Sequence, residues 1–70
     1  MSKLPSLTPK KLLKVLKKQG FVEDHQTGSH LVLYDAKSKR RVVVPMHTKD
    51  IPKGTLRAIL KSAGIDLNRL

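Results

Sequence analysis

Proton-transfer chemistry in this chain falls to three histidines, His25, His30 and His47, because cysteine is absent and the carboxylates form no paired motif. Histidine is the side chain whose ordinary proton equilibrium lies closest to physiological pH, which suits it to give and take protons within one reaction. No His-x-x-x-His pattern, phosphate-binding loop or dinucleotide fingerprint occurs. The three histidines lie in different segments, with Asp24, Asp35 and Asp50 each within five residues of one of them. A zinc or manganese site would have to be assembled from these scattered groups, and their spacing supports none. The expectation is therefore no metal and no small-molecule cofactor. His30 follows Gly28, which permits a tight turn and the close approach of a ligand backbone, and Ser29, which adds a small hydroxyl. Two readings stand for it: a proton-transfer residue, or a polar residue that closes a turn.

Charge narrows the partner. Fifteen lysines and arginines against five acids leave a formal charge of +10 on 70 residues. Such a field opposes compaction, so it points to a polyanion, although it also serves solubility. Among polyanions, RNA gives a histidine specific work. Its cleavage asks for a base at the 2′-hydroxyl, an acid at the leaving 5′-oxygen and cations around the developing phosphorane charge. Tyr34 offers a ring for base stacking, or simply packs on its sheet, and Arg41 offers a cation near the same face. Lys53, Gly54 and Thr55 fall at the amino end of a helix, where unpaired N–H groups favour an anion; Thr55 can equally serve as a cap. No apolar run approaches the roughly 18 residues needed to span a bilayer, and the N-terminus lacks signal-peptide character. A cytoplasmic protein without disulfides, and without a membrane partner, is the expectation.

These residues need elements to hold them. Thr8-Pro9 predicts a helix start, with Leu12, Leu13, Val15 and Leu16 on one side and Lys10, Lys14, Lys17 and Lys18 on the other. That face suits a core, and less well a membrane surface. Gly20 predicts the stop, with Phe21 folding back. Three strands follow, Phe21 to Gln26, Ser29 to Asp35 and Arg40 to Pro45, joined by turns short enough for antiparallel hairpins. The period of two sets Leu31 and Leu33 on a helix-covered face and His30, Val32 and Tyr34 on the other, with Arg41 and Val43 as neighbours. After a loop from Met46 to Asp50, Leu56, Ile59, Leu60 and Ala63 mark a second helix that ends at Gly64. The class is α+β: helix, three-stranded antiparallel sheet, helix, in one domain over residues 1–70.

Several motifs in this order carry a resemblance. Gly28-Ser29-His30, Val43-Val44-Pro45-Met46-His47, Lys53-Gly54-Thr55-Leu56 and Ile59-Leu60, together with Gly20-Phe21, resemble the HicA-like toxins of bacterial toxin–antitoxin modules. The resemblance spans nearly the whole chain. It implies a fold similar to double-stranded RNA-binding domains and the activity of a type II toxin that is an mRNA interferase. That is an endoribonuclease cutting mRNA without a metal and inhibited by a HicB-type antitoxin. It further implies that His30 is the catalytic histidine and Gly28 the turn residue presenting it. His47 matches a frequent Pro-x-His motif, as a site residue or as loop packing, and His25 reads as surface. A single histidine can act first as base and then as acid, or share the work with Lys53, Tyr34, His47 or water. The rival from another class is a non-catalytic RNA-binding module using the same basic faces. DNA binding is weaker, because the sheet separates the two helices.

Overall fold

Thr8 begins the first helix as its type predicts: extended itself, it accepts the Lys11 N–H on its hydroxyl at 3.3 Å, and Pro9 follows within the first turn. The structure, a computed structural model, describes residues 7–47 and 49–65; Thr48, within the expected Met46 to Asp50 loop, lies outside them. Helix α1 spans Pro9–Lys18, and Gly20 stops it with φ at 110°. The Phe21 N–H then donates to the Leu16 carbonyl at 3.1 Å, and the Phe21 ring is buried against the core. Only glycine takes such a backbone conformation without strain, and the folded-back apolar residue satisfies carbonyls that the helix leaves open.

Strands β1 (Val22–Thr27), β2 (His30–Asp35) and β3 (Arg40–Pro45) form an antiparallel sheet in the order β1-β2-β3. Helix α2, Lys53–Ala63, ends at Gly64, whose φ is 73°, and the Ile65 N–H donates to the Leu60 carbonyl at 2.9 Å. This is the α+β order that the sequence predicts. One core joins Leu12 and Leu16 of α1, Phe21, Leu31 and Leu33 of β2, Val42 and Val44 of β3, Ile51, and Leu56, Ile59, Leu60 and Ala63 of α2. Both helices thus cover one sheet face. Each fully buried leucine contributes on the order of 2 kcal/mol through removal from water.

Two boundaries differ from the sequence expectation. The first hairpin turns on Gly28-Ser29 instead of Thr27-Gly28, with Thr27 paired to His30 across it. Gly28 takes φ of 58° at the first turn position, the place a two-residue hairpin reserves for glycine. Phe21 precedes β1 because it belongs to the helix stop. A further feature, a bulge at Asp24, interrupts the β1 register between Glu23 and His25. Glu23 keeps to the helix side, where Lys17 donates to it at 2.6 Å, while His25 is carried opposite Val32 on the other face.

Candidate functional site

The open sheet face carries three cross-strand rows. Thr27, His30 and Pro45 lie side by side; so do His25, Val32 and Val43; so do Val22, Tyr34 and Arg41. The expected face assignment of His30, Val32 and Tyr34 therefore stands, with Pro45 as the neighbour of His30 and Arg41 as that of Tyr34. His30 and Tyr34 are four residues apart on one strand, roughly 13 Å. They do not meet. Each anchors a different end of the face.

At the His30 end, Pro45 closes β3, since it has no N–H to donate, and the chain turns toward α2. This return brings His47 beside His30, with ring centroids 5.8 Å apart and planes inclined at 60°. Both histidines are exposed. The Met46 N–H donates to the Ser29 carbonyl at 2.7 Å, tying the loop before His47 to the turn before His30. A hollow of about 380 Å³ lies here, lined by His30, Val43, Pro45, His47, Pro52 and Thr55.

The hollow continues along the junction of β3 and α2. A neighbouring space of about 500 Å³ shares Val43 and Thr55 and runs past Gly54, Ala58 and Ser62 to Arg41. Among the described residues, none that lines this groove is acidic. Glu23 is engaged by Lys17, Asp24 by His25 at 2.7 Å, and Asp35 by the Lys37 N–H and the Ser38 hydroxyl in the β2–β3 turn. The groove floor is apolar around half-exposed Val43, while its two ends carry imidazoles and a guanidinium.

At the far end the Arg41 guanidinium sits over the Tyr34 ring, 5.3 Å from its centroid. A planar cation held on an aromatic ring presents a flat outer surface on which a base can stack, and N–H groups that reach phosphate oxygens. Helix α2 adds its amino end to the groove wall. Pro52 supplies no side-chain cap, and the first turn holds no acidic residue. Its first N–H groups lack intrahelical partners and carry the positive end of the helix dipole. Thr55, the third residue of α2, makes no cap hydrogen bond and faces the groove, which removes the capping reading. Lys53 is exposed between the lining residues Pro52 and Gly54, and a side chain at Gly54 would meet nothing within 4 Å.

The geometry thus gathers His30, Thr55 and the Gly28-Ser29 turn at one end of a groove and Tyr34 with Arg41 at the other, with Lys53 beside the helix start. Sequence reasoning missed the lining roles of Val43, Pro45 and Pro52. Pairing β2 with β3 so that His30 faces Pro45 would have found the first two and set His47 two residues past that pair, whereas Pro52 reaches the groove only through the packing of α2. Among the described residues no group of three His, Asp or Glu gathers that could hold a metal ion, and no helix is long and apolar enough to cross a membrane.

Fold and groove together define a small basic α+β domain, with both helices on one sheet face and a histidine-bearing cleft along the β3 edge, between the sheet and α2. The family model of the HicA toxins of bacterial toxin–antitoxin systems matches residues 9–65, from the first residue of α1 to the residue after the α2 stop, and the chain belongs to that family. Membership makes it a toxin, and an antitoxin its implied partner. Comparison with curated proteins gives no match.

Proposed function

We propose that this toxin is an mRNA endoribonuclease in which His30 transfers protons at the scissile phosphate, without a metal, and that a HicB-type antitoxin inhibits it in the cytoplasm. The observation that carries the reading is the exposed His30 at the end of a groove without acidic lining, walled by the uncapped start of α2. A single strand of RNA laid along this groove meets Arg41 and Tyr34 with its bases and phosphates at one end. Lys53 and the α2 amides meet its phosphates near the other. Gly28 and Ser29 hold His30 forward, and Thr55 offers its hydroxyl from the wall. Cleavage proceeds by removal of the 2′-hydroxyl proton and attack of that oxygen on phosphorus. Departure of the protonated 5′-oxygen then leaves a 2′,3′-cyclic phosphate.

The second reading, a non-catalytic RNA-binding module, draws on the Arg41–Tyr34 pair, which needs no histidine to bind a strand. Incubating the purified protein with a defined single-stranded RNA in chelator separates the two. New RNA ends support the nuclease; intact RNA held tightly supports the module.

A further inference from the structure

Resting on the ribonuclease reading above, we propose that His47 is the second proton-transfer group of the site, working with His30 as an acid–base pair across one phosphodiester. In-line displacement needs a base on the attacking oxygen and an acid on the leaving oxygen, which lie on opposite sides of phosphorus. Two separate groups meet that demand without a change of position between steps. The two rings lie 5.8 Å apart at the end of a shared hollow, both exposed and inclined at 60°. From such positions both can reach oxygens on one phosphorus with hydrogen bonds of about 2.8 Å.

The backbone holds this spacing. The residue before His47 donates its N–H to the carbonyl of the residue before His30, Met46 to Ser29 at 2.7 Å, and His30 is paired with Pro45 in the β2–β3 ladder. Both histidines are thus attached to one hydrogen-bonded frame. His25 differs. It lies on the same face in the next row, but its Nδ1 is bonded to the Asp24 carboxylate at 2.7 Å and it does not line the hollow.

Protons balance over the step. One imidazole, neutral at the start, takes the 2′-hydroxyl proton as the 2′-oxygen forms its bond to phosphorus. The other, an imidazolium at the start, gives its proton to the 5′-oxygen as the phosphorus–5′-oxygen bond breaks. Water then exchanges the protons and restores both rings.

A substrate carrying sulfur in place of the bridging 5′-oxygen at the mapped cleavage site tests the pairing, because a thiolate leaves without an acid. On ordinary RNA, His47→Ala and His47→Gln, each shown folded by its thermal unfolding curve, should cut roughly 10² to 10⁴ times more slowly than wild type. The control His25→Ala should cut at the wild-type rate. On the sulfur substrate, one of His30→Ala and His47→Ala should recover to within about tenfold of wild type and the other should stay slow, which assigns acid and base. Wild-type cutting by folded His47→Ala overturns the pairing, as does a rise in KM without a fall in kcat, rescue of both variants or of neither, or a collapse of activity in His25→Ala. If wild-type protein leaves every RNA intact, the nuclease reading itself fails and this inference falls with it.

Discussion

The Met46 N–H donates to the Ser29 carbonyl at 2.7 Å, so the turn that presents His30 and the loop that presents His47 share a backbone hydrogen bond. A net contribution of about 1 kcal/mol is ordinary for such a bond, but its position matters more than its size. It fixes the end of the groove through main-chain atoms, leaving the exposed imidazoles free to act on a ligand.

The turn side of this frame depends on Gly28, whose φ of 58° is left-handed and whose missing Cβ would meet nothing within 4 Å. Substitution there costs backbone energy alone. Gly28→Ala should destabilise the fold by about 1 kcal/mol and Gly28→Asn by less, since asparagine tolerates this region. Cleavage should fall in the same order. Urea unfolding paired with cleavage rates checks this, and equal stability for all three proteins would show that the turn carries no strain.

Much of this arrangement can be read from residue types. Thr8-Pro9, Gly20-Phe21 and Gly64-Ile65 are local stop and start signals with one physical outcome each, and the helices end where those signals put them. The alternation of β2 likewise places His30 and Tyr34 on the open face, because Leu31 and Leu33 have to be buried. What escaped was non-local. The Asp24 bulge has no composition signal, yet it carries His25 to the open face. The nearness of His47 to His30 depends on the β2–β3 register and on the loop after Pro45, which no period in the sequence encodes.

At the far end of the groove the stacked Arg41 should contribute shape as well as charge, because its guanidinium lies over Tyr34. Arg41→Lys keeps the charge and should preserve the salt dependence of RNA binding, yet weaken affinity by about 1 kcal/mol through lost stacking. Tyr34→Ala should cost a comparable amount or more, within the roughly 1–3 kcal/mol typical of base–aromatic stacking systems. Titration of both variants with single-stranded RNA at several salt concentrations measures it. Unchanged affinity in both would remove this end of the groove from the RNA path.

Lys53 stands at the uncapped start of α2. Lys53→Ala should weaken RNA binding across sequences and lower the slope of log K against log salt by about 0.7 to 1, the worth of one phosphate contact. An unchanged slope would take Lys53 out of the interface.

Expression of this toxin alone should arrest growth, and co-expression of its antitoxin, proposed above to be of the HicB type, should relieve the arrest. Lys10, Lys14, Lys17 and Lys18 are exposed on α1, so an acidic antitoxin surface should associate quickly and with strong salt sensitivity. Stopped-flow association at two salt concentrations reads this directly. Harmless expression of the folded protein would contradict the toxic activity, and a salt-independent association rate would contradict the charge-guided encounter.

The most direct test compares wild-type protein with His30→Ala on one defined single-stranded RNA in chelator, with the chemistry of the product ends determined. His30 is exposed, so its substitution should change stability by no more than about 0.5 kcal/mol while cleavage falls by roughly 10² or more. Wild-type products should end in a 2′,3′-cyclic phosphate, and RNA blocked at the 2′-hydroxyl of the cleavage site should resist cutting. Full cleavage by folded His30→Ala, or wild-type activity that disappears in chelator and returns with Mg²⁺, would contradict proton transfer by His30 without a metal.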